Sequence, residues 1–134
     1  MRQTAQRDLR GVGTMAGDLD QLFRRIEDLA TARGLAEVAR GTSYGTPCLK
    51  VRNRTFLRLR DADTLVLQCP ADQKALLMDL SPDIYYETDH YVGYEAVLVR
   101  LSEISDEELS LRIEDAWRFR APRTRRAAPP AAKN

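Results

Sequence analysis

The chain has 134 residues with 21 basic and 20 acidic side chains, so its formal net charge at pH 7 is +1. A chain of this length suits one domain with an ordinary hydrophobic core. The near-zero net charge excludes a global electrostatic attraction to nucleic acid or membranes, so any such binding depends on local charge distribution. No apolar run approaches the roughly 18 residues of a membrane span. We expect a cytoplasmic protein that does not contact membranes.

The two cysteines, Cys48 and Cys69, lie in separate apolar runs. The sequence contains no CxxC motif and no Cys/His cluster, so it indicates neither a zinc site nor a structural disulfide. No other metal or cofactor is expected. No complete set of catalytic residues is visible, so the sequence favours a binding protein over an enzyme.

Both ends of the chain lack hydrophobic periodicity. Residues 1–16 contain glycines and several arginines and are predicted to form a flexible leader, with Met15 as an alternative start. Residues 121–134 are rich in Ala, Pro and Arg and are predicted to be disordered. Residues 17–120 are therefore expected to form a single domain.

Apolar periodicity predicts eight elements between these ends, in the order α-β-β-β-α-β-β-α. Helices are predicted over residues 18–33, 70–80 and 106–120. A β-hairpin is predicted over 46–60, and further strands over 64–69, 84–87 and 96–101. The Gly-rich segment 41–47 is predicted to be a loop. This order favours an α+β fold with a mostly antiparallel sheet and helices on one face.

Local signals predict several helix ends and buried faces. Asp18 is a candidate N-cap and Gly34 a candidate C-terminal stop of the first helix. Ser105, with Glu108 three residues later, forms a capping box at the start of the last helix. The buried stripe of the second helix is predicted to comprise Ala75, Leu76, Leu77 and Leu80.

The first candidate site is the predicted hairpin, which is rich in cations. Four basic residues share one parity along its strands: Lys50, Arg52, Arg58 and Arg60. Arg54 adds a fifth cation at the turn. Phe56 is predicted to lie among them on the same face. A basic β-ribbon with an aromatic side chain suits salt-dependent, weakly specific binding of DNA. The alternative is a solvated face whose charges prevent edge pairing.

The second candidate site combines hydroxyl and aromatic side chains from distant segments. We hypothesise a pocket for a small aromatic ligand formed by Ser43, Tyr44, Thr46, Asp89, His90, Tyr91 and Trp117. The alternative is structural: the hydroxyls satisfy buried backbone groups, and Trp117 packs in the core. Catalysis is the third hypothesis, because Asp89 beside His90 is a weak acid–base signal and Cys48 has no neighbour in sequence that lowers its pKa.

Several segments together resemble a known family. They are GTSYGTP at 41–47 with Leu49-Lys50, then TLVL at 64–67, TDHY at 88–91 with Gly93-Tyr94, VLVRL at 97–101, and Glu108 with Ala116-Trp117. Over roughly residues 18–120 the chain is similar to the MmcQ/YjbR-like proteins of bacteria, although Cys48 departs from the small residue common there. The resemblance implies a CyaY-like α+β fold and a double-wing arrangement suspected of binding DNA. It also implies a drug-linked role for some members and assigns no enzymatic activity.

Overall fold

The structure, a computed structural model, describes residues 11–122, with side chains from Asp18 onward. Over this range the chain forms three helices and six strands. The helices are α1 (Gly11–Ala32), α2 (Ala71–Leu80) and α3 (Asp106–Arg120). The strands are β1 (Val38–Ser43), β2 (Thr46–Val51), β3 (Arg54–Asp61), β4 (Thr64–Gln68), β5 (Tyr85–Tyr86) and β6 (Ala96–Arg100). A single 3-10 turn, Asp89–Tyr91, lies between β5 and β6.

The six strands form one sheet in the order β1-β2-β3-β4-β6-β5. Every neighbouring pair is antiparallel. The α+β class and the succession of helix, strands, helix, strands and helix are therefore confirmed. None of the helices over residues 11–122 combines the length and the apolar character that a bilayer crossing requires.

Strand β1 is an element that the sequence did not predict. The sequence predicts a loop at residues 41–43, because Gly, Thr and Ser are typical of turns. In the structure they pair with β2, from Gly41 opposite Cys48 to Ser43 opposite Thr46. This pairing supplies hydrogen-bond partners for the backbone. It reduces the loop to the two-residue turn Tyr44-Gly45.

The three helices cover only one face of the sheet. Side chains alternate between faces along a strand, and one face presents Leu49, Leu57, Leu67 and Val97 in register across four strands. These residues form a single buried cluster with Phe23 of α1, Leu77 of α2 and Ile113 of α3. The helices do not pack against the opposite face of the sheet.

Phe56 lies in this core, which corrects its predicted place among the hairpin cations. Leu49 faces Leu57 and Lys50 faces Thr55, so Phe56 is an extra residue in β3. Such a β-bulge breaks the strict alternation on which the prediction depended. The Phe56 side chain is 0% exposed and packs with the helices.

The sequence predicted the C-terminal end of α1 correctly but predicted its N-cap wrongly. Helix α1 already includes residues 11–17, so Asp18 is not its N-cap, although the glycines of this segment have weak helix propensity. Gly34 follows the helix with φ +67, as its predicted role requires. Residues 1–10 and 123–134, which hold most of the predicted leader and tail, lie outside the described residues.

The capping box of α3 is formed on one side only. The Ser105 hydroxyl accepts a hydrogen bond from the Glu108 backbone N–H at 3.1 Å. The Glu108 carboxylate accepts instead from the buried hydroxyl of Tyr85 in β5. Burial, reinforced by this carboxylate, raises the pKa of Tyr85 well above its usual range.

Helix α2 buries a narrower face than predicted. Leu76 and Leu80 are 56% and 68% exposed, whereas Leu77 and Lys74 are buried. The helix packs at the β5–β6 edge of the sheet. A helix at an edge contacts the core along a narrow stripe, so the predicted stripe of four residues was wrong for Ala75, Leu76 and Leu80.

We predict that Leu77→Ala lowers the free energy of unfolding by about 2–4 kcal/mol, because it leaves a cavity in the core. Leu80→Ala on the same helix is the matched control, with an expected change within about 0.5 kcal/mol. Urea denaturation measures both. Equal losses in the two variants would contradict the described packing of α2.

Candidate functional site

The candidate site lies on the face of the sheet that the helices leave uncovered, here called the open face. Cys48, Arg58, Val66 and Leu98 occupy it in register across β2, β3, β4 and β6. Val66, Ala96 and Leu98 form a second small apolar cluster, against which Tyr86 and Tyr91 pack. The 3-10 turn that carries Tyr91 therefore covers part of the open face.

Arg58 joins the two hydroxyl-rich segments that the sequence singled out. Its guanidinium donates from Nη1 to Thr46 Oγ1 at 3.0 Å and from Nη2 to the Tyr91 hydroxyl at 3.5 Å. The guanidinium carbon lies 5.2 Å from the centroid of the Tyr44 ring, within the range of a cation–π interaction. Segments 41–47 and 88–94 thus meet on the open face.

A groove of about 730 Å³ opens around Arg58. Three arginines reach it from different elements: Arg54, Arg58 and Arg120. None of its described lining residues is Asp or Glu. The remaining lining residues are polar, aromatic or aliphatic: Ser43, Tyr44, Asn53, Thr55, Leu57, Val66, Gln68, His90, Tyr91 and Tyr94. The groove therefore suits an anionic ligand with aromatic or hydrogen-bonding groups.

Three aromatic rings stand together at one end of this groove. The His90 and Tyr91 ring centroids are 5.0 Å apart and nearly perpendicular. The Tyr94 ring lies 5.8 Å from His90 and 6.0 Å from Tyr91. These are the edge-on and tilted contacts that aromatic side chains prefer. His90 and Tyr94 are also exposed, so both are accessible to a ligand.

The predicted pocket residues are not all brought together. Ser43, Tyr44, His90 and Tyr91 line the groove, and Thr46 supports it through Arg58. Trp117 lies elsewhere: it packs against the main core, and its indole N–H donates to the Ala36 carbonyl at 2.9 Å.

Asp89 is exposed at the start of the 3-10 turn and does not line the groove. Among the described residues its carboxylate makes no hydrogen bond with His90. The adjacency in sequence that raised the acid–base hypothesis therefore does not produce a coupled pair in the structure.

The hairpin cations are divided between the groove and other surroundings. Arg54 and Arg58 line the groove, and Lys50 adjoins it opposite the lining residue Thr55. Arg52 pairs with Glu37 at 3.4 Å. Arg60 is exposed at the far end of β3, where the pairing with β4 is irregular.

Arg120, Gln68 and Thr55 are lining residues that the site predictions missed. The Arg120 Nε atom is buried and has no hydrogen-bond partner among the described residues. Gln68 offered a usable signal, because it is a polar residue that shares the parity of Val66 and follows three apolar residues, Leu65–Leu67. Arg120 belongs to an arginine-rich run near the end of the chain, but no local pattern places the end of α3 beside β3.

Burial argues against a nucleophilic role for Cys69. Desolvation raises the pKa of its thiol to about 11, so the thiol stays protonated at neutral pH and is a poor nucleophile. Cys48, the candidate nucleophile, is also buried as a free thiol within the sheet. Neither buried thiol is therefore placed as an accessible nucleophile.

Lys74 of α2 holds the segment that carries the aromatic cluster. Its ammonium group donates to the Tyr91 carbonyl at 2.8 Å and the Tyr94 carbonyl at 2.9 Å, and lies 2.7 Å from the Glu87 carboxylate. The side chain is only 5% exposed. A buried cation is tolerated when acceptors compensate its lost hydration, and here three oxygens do so.

We predict that Lys74→Met destabilises the protein by about 3 kcal/mol, because the methionine fills the space but leaves the Glu87 carboxylate and two carbonyls without their cation. Urea denaturation measures the loss. Hydrogen exchange is expected to show faster amide exchange over residues 87–94.

The matched control for this prediction is Lys50→Met. Lys50 lies on the open face with no ion pair among the described residues, so we expect a change within about 0.5 kcal/mol. Unchanged stability and unchanged exchange in Lys74→Met would contradict the role assigned to this lysine.

Comparisons with known proteins agree with the family that the sequence resembles. Uncharacterised proteins from Mycobacterium bovis and Mycobacterium tuberculosis are each 47% identical to the chain over 49 residues, which is 37% of this chain and 37% of each relative. The similar part thus spans little more than a third of the length of these relatives. No solved structure matches the chain. A family model described as YjbR matches residues 33–119, which include the whole sheet and most of α3. The chain therefore belongs to the YjbR family.

Proposed function

We propose that the protein binds DNA through the groove on the open face. The observation that carries this proposal is the convergence of Arg54, Arg58 and Arg120 with exposed tyrosines, in a groove without a described lining carboxylate. Arginine forks suit phosphate oxygens, and aromatic rings suit bases. The positive potential is local, which is consistent with the near-neutral charge of the whole chain.

The cations of the proposed site differ in how they are held. The Arg54 side chain is exposed and makes no ion pair or hydrogen bond among the described residues, so its guanidinium can follow a phosphate. Arg58 is half-buried and oriented by Thr46 and Tyr91. Such orientation lowers the entropy lost on binding. Lys50 adds a further positive charge beside the groove.

The proposed phosphate-binding site contains fewer of the hairpin cations than the sequence indicated. Arg52 is engaged with Glu37, and Arg60 lies away from the groove. We therefore propose Lys50, Arg54, Arg58 and Arg120 as the phosphate contacts. The two omitted arginines are expected to contribute little to affinity.

The test is titration of the full chain into labelled DNA across a series of salt concentrations. Four phosphate contacts predict that log K falls with log salt with a slope of about −3 to −4. Arg54→Ala is expected to reduce the magnitude of this slope by about 1. Fluorescence anisotropy measures both quantities.

Arg24→Ala is the matched control, because Arg24 is exposed on α1, which packs against the other face of the sheet. It changes the net charge equally and is expected to leave affinity and slope nearly unchanged. Equal effects of the two substitutions would show that net charge rather than the groove governs binding. Absence of DNA binding at low salt would refute the proposal.

A small anionic aromatic ligand is the second candidate, and the size of the groove favours it. A volume of about 730 Å³ is typical of small-molecule sites, and Ser43, His90 and Tyr91 supply hydrogen-bonding groups. A ligand that binds the folded state raises the melting temperature. Stabilisation by aromatic carboxylates or nucleotides that is lost in His90→Ala, without DNA binding, would favour this candidate. Stabilisation that survives in His90→Ala would exclude the groove.

A further inference from the structure

We infer that the groove takes single-stranded DNA in preference to duplex, with the Tyr44 ring as a platform on which a base stacks. This inference rests on the proposed DNA binding and specifies which form of DNA the same site recognises. It is carried by the backbone conformation, exposure and ring contact of Tyr44, together with the aromatic cluster at the other segment of the groove.

The backbone at Tyr44 shows that local folding does not favour a tyrosine there. Tyr44 and Gly45 form the two-residue turn between β1 and β2, with φ values of +53 and +80. Two-residue turns with positive φ at both positions favour Asn-Gly or Asp-Gly, and a bulky side chain is sterically unfavourable in the left-handed region. The tyrosine therefore calls for an explanation other than the turn itself.

Packing does not supply that explanation. The Tyr44 side chain is 91% exposed, the highest value among the exposed large hydrophobic residues described. Its one ring contact among the described residues is with the Arg58 guanidinium, 5.2 Å from the ring centroid. The tyrosine thus adds almost nothing to the core, and its ring is held at the rim of the groove by a cation.

The contact with Arg58 leaves the Tyr44 ring suited to stacking. Arg58 is itself oriented by hydrogen bonds to Thr46 and Tyr91. The ring is therefore positioned before a ligand arrives, while most of its surface faces solvent. A base stacked on this ring would extend a base–tyrosine–arginine arrangement and place its phosphate near the groove cations.

Single strands fit this arrangement better than duplexes do. His90, Tyr91 and Tyr94 form the second aromatic group along the groove, with the lining arginines in the same groove. Stacking on aromatic side chains requires bases whose faces are accessible, which single strands offer and paired, stacked bases do not. Aromatic rings combined with arginines are the arrangement of sequence-tolerant single-strand binding sites.

The experiment compares three labelled probes with the full chain: a mixed-sequence single strand of about 12 nucleotides, the same sequence as a duplex, and an abasic strand of the same length. The abasic strand keeps the phosphates and lacks the bases. We expect the single strand to bind more tightly than the duplex or the abasic strand at the same salt concentration.

Tyr44→Asn isolates the contribution of the ring. Asparagine suits the turn, so we expect a urea midpoint at least equal to that of the original protein. Removal of one stacked base contact should weaken single-strand binding about 5- to 150-fold and leave duplex and abasic binding nearly unchanged. Tyr44→Phe keeps the ring and is expected to keep the single-strand affinity within about twofold.

The outcomes separate this inference from the proposed function. Equal binding of single strand and duplex, with both unchanged in Tyr44→Asn but weakened in Arg54→Ala, would overturn the inference and leave DNA binding at the groove intact. Failure of every probe to bind at low salt would overturn the inference and the proposed function together. Loss of single-strand binding in Tyr44→Asn with retention in Tyr44→Phe would support the inference.

Discussion

The one-sided packing of helices on the sheet is the constraint on which the rest of the structure depends. Side chains alternate along each strand, so once Leu49, Leu57 and Leu67 face the helices, their neighbours Cys48, Arg58 and Val66 must face the other way. Antiparallel sheets commonly bury one face and leave the other to solvent. Within residues 11–122, the segment between β5 and β6 covers part of the second face, and a groove lies beside it.

Two cations shape the groove on this open face. Lys74 secures the connecting segment through three oxygens, and it is buried because those oxygens compensate its desolvation. Arg58 then links Thr46 to Tyr91 and supports the Tyr44 ring. The interactions of Lys74 and Arg58 thus contribute both to the stability of the domain and to the geometry of the groove. A substitution of either residue is expected to change the stability and the geometry together.

The sequence predicted the fold class and most elements because hydrophobic periodicity, turn residues and caps are local signals, as the Ser105 cap shows. It predicted the approach of segments 41–47 and 88–94 only as a hypothesis, because that approach depends on strand order and is made through Arg58. The errors have physical causes. The bulge moved Phe56 into the core, and the spacing that placed Trp117 on a helix could not tell which surface it faces. Arg120 reaches the groove through tertiary packing alone.

The most direct test of DNA binding in the groove is an NMR titration of the full, isotope-labelled chain with a short single-stranded DNA. Binding in the groove predicts chemical-shift changes concentrated on the open face, at Tyr44, Thr55, Arg58 and His90. It predicts little change on α1, which packs on the opposite face of the sheet. Changes confined to the segments 1–10 and 123–134, or centred on α1, would contradict the assignment of binding to the groove.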